Sequence, residues 1–333
     1  MPGQVVVAGA TLVAGLRADF ADTYQLSYEG AKARLTDAMQ MGIPSDKLEE
    51  IYGYFESSPY PRRWPRGEAI SRKGMGSRQF RVMNYDYGRG IEWHENDRLD
   101  DQTKSLFDQA RSLGSHFATL PERVFYQILQ NSTDSELLPS IPNAPDGAAL
   151  YSATDGAGAD RFGVSGGNIV TGFSVATGAS VRSGFFSAIQ RMRQFRDTEN
   201  QPLWSDDVVD QGYTIFFGVH NWQAFAEAFR QTLSAIAASS AVSNAAVTNI
   251  VLESGLKVDL VPTQRITGNG AHVFLKGSPR KAIFQQVRAP LREAFATMDT
   301  SDQVRDTKIE YIQWDVREGY GVGLPYQTIQ LTA

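Results

Sequence analysis

The sequence predicts an α+β protein built as two lobes. Three observations carry this reading. An apolar stripe at helical spacing runs through residues 99–131, residues 169–298 alternate helical and strand-like stretches, and the tail from 308 to 331 is strand-like throughout. A chain of 333 residues is long enough to bury two cores. With 42% hydrophobic and 21% charged residues, whole-chain disorder is excluded.

Residues 1–15 are small and apolar and read as an arm that orders only against something else. The run Val5–Leu16 is too short to span a membrane, is interrupted by Gly9 and Gly15, and meets its first cation, Arg17, only after it ends. These features predict a soluble protein without a leader. Arg17 to Met41 reads as a helix, because Phe20, Tyr24, Tyr28, Ala31, Leu35 and Met39 recur at steps of three and four; Gly42 and Pro44 stop it. A second short helix is expected from about Ser45. Residues 57–67 hold three prolines and cannot be regular structure.

From about Arg66 to Trp93 the loose alternation of Phe80, Val82, Tyr85 and Tyr87 predicts an extended two-stranded excursion, with Gly88-Arg89-Gly90 as its exposed turn. The excursion has too few large aliphatic residues to bury itself. The strongest helical signal follows: Leu106, Ala110, Leu113, Phe117, Leu120, Val124 and Ile128 mark one stripe, with Pro121 as a kink. Residues 132–168 are rich in proline and glycine and mark a lobe boundary. Beyond them, helices are expected at 180–196 and 221–238. Strands are expected at 213–219, within 249–261 and at 271–275.

No motif for catalysis stands out. There are no cysteines, which removes disulfides, thiolate metal sites and cysteine nucleophiles. His94, His116, His220 and His272 are scattered, with no two in metal-ligand spacing. The string Asp155-Gly-Ala-Gly-Ala-Asp-Arg-Phe-Gly163 fits neither a dinucleotide nor a P-loop pattern, and no Gly-x-Ser-x-Gly elbow is present. No cofactor or metal is therefore expected.

Charge is more informative. The chain carries a net charge of −5, which argues against a protein that coats nucleic acid. Yet the bases Arg62, Arg63, Arg66, Arg72, Lys73, Arg78 and Arg81 face a single acid, Glu68, and Arg89 follows in the expected turn. The balance then reverses at Glu92, Glu95, Asp97, Asp100 and Asp101. A basic excursion beside an acidic helix start suits contact between copies of one chain, loop on helix start.

The order of parts resembles the major capsid proteins of tailed bacteriophages with the HK97-like fold, and most closely the Mu-like major head subunit group. Three stretches carry the resemblance. One is the loop-then-helix run from Arg66 to Asn131. Another is Phe274-Leu-Lys-Gly-Ser-Pro-Arg-Lys-Ala-Ile-Phe-Gln-Gln-Val-Arg288. The third is Tyr311-Ile-Gln-Trp-Asp-Val-Arg-Glu-Gly-Tyr-Gly-Val-Gly-Leu-Pro325. The resemblance implies an N-terminal arm and helix over 1–65 and an extended loop (E-loop) over 66–98. It implies a peripheral domain of 99–140 plus 299–333, holding a spine helix and the C-terminal strands, and an axial α/β domain over 141–298.

It also implies a non-enzymatic shell subunit that forms hexamers and pentamers around double-stranded DNA, assembled in the host cytoplasm. A separate scaffolding protein, a portal and decoration proteins are its expected partners. Some relatives join a loop lysine to a neighbour's asparagine; Lys73 is the one lysine in this loop, and no such bond is expected here. Two rival readings remain at this point: an encapsulin-type nanocompartment shell and a soluble α/β enzyme.

Overall fold

A computed structural model of the chain describes residues 9–55, 61, 63–64, 77–94, 96, 105–230, 233–235, 246–248, 255–278, 280–297 and 300–333. In chain order its helices are α1 (Gly9–Leu35), α2 (Ser105–Ala118), α3 (Leu120–Gln130), α4 (Gly178–Gln194), α5 (Asp206–Val209), α6 (Trp222–Phe229) and α7 (Asp302–Thr307). Its strands are β1 (Met39–Pro44), β2 (Glu49–Phe55), β3 (Ser77–Met83), β4 (Tyr85–His94), β5 (Ile169–Val170), β6 (Tyr213–Gly218), β7 (Leu233–Ala235), β8 (Ala246–Thr248), β9 (Val258–Thr263), β10 (Ala271–Leu275), β11 (Ile283–Ala296), β12 (Ile309–Val322) and β13 (Thr328–Leu331).

One sheet has the order β1-β11-β12-β4. Alternation along β12 turns Ile312, Trp314 and Val316 inward and leaves Ile309 and Tyr311 exposed. The inward side chains meet Ile91 and Trp93 of β4 and are roofed by α1 and α2, through Leu12, Val13, Leu16, Phe20, Leu106 and Ala110. Phe20 stacks on Trp314 with ring centroids 4.1 Å apart. The two roof helices touch backbone to backbone at Gly114: a Cβ there would lie 2.7 Å from the Phe20 carbonyl oxygen, so only glycine permits the crossing. Pro290 lies within β11, and the β11–β12 register shifts just before it, between Val287 and Ala289, and across it, between Ala289 and Arg292.

The second sheet has the order β5-β13-β10-β6-β9. Both of its faces are covered, so β6 and β10 are buried along their whole length. Val181, Phe185, Phe225 and Phe229 of α4 and α6 cover one face over Ile215, Phe217 and Val273. The other face meets α3, whose Phe125 packs against Phe216 and Phe274 at 5.2 and 5.9 Å. The helix α3 is thus a wedge between the two sheets, and its Val124 and Ile128 share a core with Ile283, Val316 and Tyr320 of the first sheet.

The long connection 132–168 is held by a buried arginine. Arg161 donates from Nε and Nη2 to Asp146 at 2.6 and 2.9 Å, and from Nη1 to the carbonyls of Ala149 and Leu150. Asn168 then donates to the carbonyls of Leu150 and Pro325. A buried guanidinium is tolerated only when its donors are matched in this way.

Several elements differ from the sequence expectation. The first helix begins at Gly9, inside the stretch read as an arm, because Leu12, Val13 and Leu16 find cover within their own chain; residues 1–8 lie outside the described part. It ends at Leu35, and residues 39–44 form β1 beside β11 rather than more helix. The expected short helix after Ser45 is instead a turn capped by Glu50, which accepts from the backbone N–H of Asp46 at 2.9 Å, followed by β2. The stripe from Leu106 to Ile128 is real, but Thr119 (φ −92°, ψ 2°) divides it into α2 and α3, with Pro121 in the first turn of α3. Residues 99–104 of that expected helix are not described. The helix from 221 stops at Phe229, with Arg230 as its C-cap. Two strands cross the expected lobe limits: β11 hydrogen-bonds in the four-stranded sheet, and β13 sits inside the five-stranded one.

The largest departure concerns the two-stranded excursion. β3 and β4 do not pair with one another. β3 pairs with β2, from Glu49 opposite Met83 to Phe55 opposite Ser77, while β4 pairs with β12. Gly88-Arg89-Gly90 is therefore the middle of a sheet strand and not a loop tip. Gly90 is needed there for close approach, since a Cβ would lie 2.9 Å from the Ile312 carbonyl oxygen.

Glu318 is a buried acid on β12. Gln285 Nε2 donates to its Oε2 at 2.6 Å, and the Tyr320 hydroxyl donates to its Oε1. Burial pushes its carboxyl up from 4.5 to about 7, although both hydrogen bonds pull the other way.

Two predictions follow from this packing. Phe125→Ala should cost about 3–5 kcal/mol by emptying the wedge between the sheets, read by denaturant unfolding of the subunit. For Glu318, the folded carboxyl holds its proton more tightly than the unfolded one. Its contribution is therefore most favourable below pH 4.5 and is lost as pH rises to about 7. Glu318→Gln should remove that decline and leave the variant more stable at pH 8, by on the order of 3 kcal/mol. Melting curves between pH 5 and pH 8 check this; parallel curves for the two proteins would contradict it.

Candidate assembly surface

The hairpin β2–β3 is a two-stranded sheet separate from the two larger ones. Its strands have two unlike faces, set by the two-residue repeat. On the inward face, Tyr52 and Phe80 stack at 5.5 Å, and both meet Phe284 of β11 edge-on at 5.0 and 6.1 Å. The Tyr52 hydroxyl donates to Gln286 Oε1 at 2.7 Å. On the outward face, Ile51 is 55% and Met83 45% exposed, and Leu48 beside them is 58% exposed.

The base of the hairpin is closed by Asn84, which is 3% exposed. Its Nδ2 donates to Ser45 Oγ at 2.8 Å and to the Lys47 carbonyl at 2.7 Å. Its Oδ1 accepts from Gln286 Nε2 at 2.8 Å, and its backbone N–H donates to the Leu48 carbonyl. The same Gln286 Nε2 also donates to the Val82 carbonyl at 3.1 Å. This network ties both strands of the hairpin to β11 and fixes the direction in which it leaves the sheet.

The charged residues singled out by sequence are not gathered in one place. Arg81 lies on the outward face and reaches Glu49 of the opposite strand at 3.4 Å, a cross-strand pair within the hairpin. Arg78 lies on the inward face and donates to the Asp146 carbonyl at 3.4 Å. Arg89 stands on β4, on the helix-covered side of the sheet opposite Trp314. There it lines an open groove of about 550 Å3 with His116, Arg123, Asp86 and Glu136. Glu92 lies on the other side, opposite Tyr311. Arg66, Arg72, Lys73, Glu95, Asp97, Asp100 and Asp101 lie outside the described residues.

Sequence reasoning missed Leu48 and Ile51, because the chain from about Ser45 reads as the start of a short helix, and it did not single out Met83 within the extended stretch 77–87; the alternation of Ile51 with Tyr52 was the available signal. It also missed the exposed end of the sheet's second face, beyond the hairpin, where Ile309 and Tyr311 stand on β12. Among the described residues, no group of three or more His, Asp or Glu side chains could hold a metal ion. No helix among them is long and apolar enough to cross a membrane.

Comparison with known proteins agrees with this geometry. Residues 13–138 match the family model of the Mu-like prophage major head subunit gpT. No curated protein matches the chain. Solved structures with the same fold include the capsid of the cyanophage P-SCSP1u, with TM-score 0.57 and 14% identity, covering 90% of this chain and 88% of that one. Mycobacterium phage Patience gives TM-score 0.56 at 10% identity, covering 94% of this chain and 86% of that one. The mature capsid of bacteriophage PhiM1 gives 0.53 at 9% identity, covering 89% and 85%. The family match covers the first helix, the hairpin and the split spine helix, and the solved structures extend the likeness to the rest: the chain has the HK97-like fold of tailed-phage capsids, and its residues 13–138 are similar to the Mu-like major head subunit.

Proposed function

We propose that copies of this chain close into hexamers and pentamers that form the icosahedral shell around double-stranded DNA, with hairpin β2–β3 laid over an adjacent copy. The observation that carries this reading is the outward face of the hairpin. Leu48, Ile51 and Met83 are exposed on a strand pair whose base is locked by Asn84, so the apolar face is held at a set angle to the body. Specific interfaces of standard size bury about 1,600 Å² in total, and a shell subunit can sum several of them.

The peripheral part is proposed to be the four-stranded sheet with α1, α2 and α3, and the axial part the five-stranded sheet with α4 and α6. The basic segment with Arg66, Arg72, Lys73, Arg78 and Arg81 is proposed to meet a neighbour's acidic segment, formed by Glu92 at the end of β4 and by Glu95, Asp97, Asp100 and Asp101 between that strand and the spine helix. Arg89, on β4 in the groove beside the spine helix, is proposed as a further intersubunit contact. Arg81 already has Glu49 as a local partner, so its share across subunits is smaller than that of Arg72 and Lys73. A separate scaffolding protein, a portal and decoration proteins complete the proposed assembly, which takes place in the host cytoplasm.

Three outcomes test this. Ile51→Glu together with Met83→Glu should leave the subunit folded and abolish shells, scored by circular dichroism and electron microscopy. Reversing Arg72, Lys73 and Arg78 together to Glu should block assembly at low salt, whereas single reversals should do little, since one exposed pair is worth about 1 kcal/mol at most. Normal shells from the triple variant would show that these charges only face solvent. Asn84→Ala leaves Ser45 Oγ without its donor and Gln286 without one acceptor, a cost of about 1–3 kcal/mol. Hydrogen exchange should quicken in β2 and β3 and stay unchanged in β10.

A further inference from the structure

A cleft of about 230 Å3 opens between α1, the α2–α3 junction and the β11–β12 ladder. We propose that this cleft binds a small primary alkylammonium ion, with Glu318 as its counterion. Glu318 lies among the cleft's lining residues and is 3% exposed. Its carboxylate offers four lone-pair directions. Tyr320 and Gln285 occupy one on each oxygen, which leaves two acceptor positions.

Among the described residues no cation neutralises this acid. The titratable groups that face it are the phenols of Tyr24 and Tyr28 on α1, Tyr87 on β4 and Tyr320 on β12 itself. Gln285 faces it from β11 through its amide N–H. No Lys or Arg pairs with it among the described residues. A second acceptor lies beside it: Gln285 Oε1 is buried and has no hydrogen-bond partner. A buried acceptor without a donor costs free energy, and a buried carboxylate without a cation costs more.

The remaining walls define the ligand. Tyr24 and Tyr28 stack at 5.7 Å, and Phe117 stands in the same lining. Aromatic faces attract an ammonium group. Val287 and Leu291 make the rest of the wall apolar. The site therefore asks for one positive charge, several N–H donors, no acceptor and a short hydrocarbon tail. A hard divalent cation would need six or more oxygens, which this lining does not supply. A neutral alcohol would leave the carboxylate uncompensated.

The proton is the competitor. Because burial holds the Glu318 carboxyl at about 7, it is ionised to about nine-tenths at pH 8 and about one-tenth at pH 6. Ammonium binding should weaken about tenfold across that interval.

The test is a thermal-shift titration of the full chain with n-butylammonium chloride at pH 8. Sodium chloride of equal ionic strength and 1-butanol serve as controls. The expected result is a saturable rise in melting temperature with butylammonium alone, an apparent Kd about tenfold higher at pH 6, and no rise in Glu318→Gln. Saturation-transfer NMR of butylammonium on the wild-type chain gives a second readout that needs no variant, and its signal should fall between pH 8 and pH 6. A rise that persists in Glu318→Gln, an equal rise with 1-butanol, or no saturable effect at pH 8 would overturn the proposal.

Discussion

The antiparallel pairing of β11 with β12 is the constraint on which the rest of the structure depends. Each strand has 14 residues, and their ladder runs from Ile283 opposite Val322 to Ala296 opposite Tyr311. β1 and β4 are added at its two sides, α1 and α2 lie on one face, and α3 is pressed from it against the second sheet. Because side chains alternate along a strand, slipping this pair by one residue would move Trp314 and Ile312 from the roofed face to the other one. The stack of Phe20 on Trp314 makes that slip costly, and the shift in register around Pro290 pins it further.

Much of the fold was legible because it was local. β10 occupies the five residues that its apolar run marks, and β6 and α4 lie within two residues of their expected ends. These segments carry their own periodicity and their own stops. The pairings were not legible. β4 reads as two short strands with a glycine turn, because the partner that requires Gly90, the backbone at Ile312, lies more than 200 residues further along the chain. β1 reads as the end of a helix, since its partner β11 is equally remote. Local pattern cannot register a partner of that kind, and tertiary pairing overrode it.

The contact surface divides in the same manner. The charge reversal between Arg81 and Glu92 is a one-dimensional pattern and was visible at once. The separation of Arg89 and Glu92 onto opposite faces of one sheet, and the pairing of Arg81 with Glu49, needed three dimensions. So did Arg161 and Glu318, whose sequence contexts resemble many surface positions while their side chains are almost fully enclosed. The first is satisfied by matched acceptors; the second has only neutral partners among the described residues.

The crossing at Gly114 gives the molecule a pivot. α1 is one unbroken rod of 27 residues, and it rests on α2 at Phe20 with no side chain between the two backbones. From Phe20 to Leu35 is about 22 Å at 1.5 Å per residue, so a tilt of about 10° at the crossing carries the far end by about 4 Å. That end is tethered: Arg34 holds Glu122 at 2.6 Å, and Asp37, just beyond it, accepts from Thr214 of the second sheet at 2.6 Å. A change in the angle between the two sheets would therefore swing α1 about Gly114 and load the Phe20–Trp314 stack beside it.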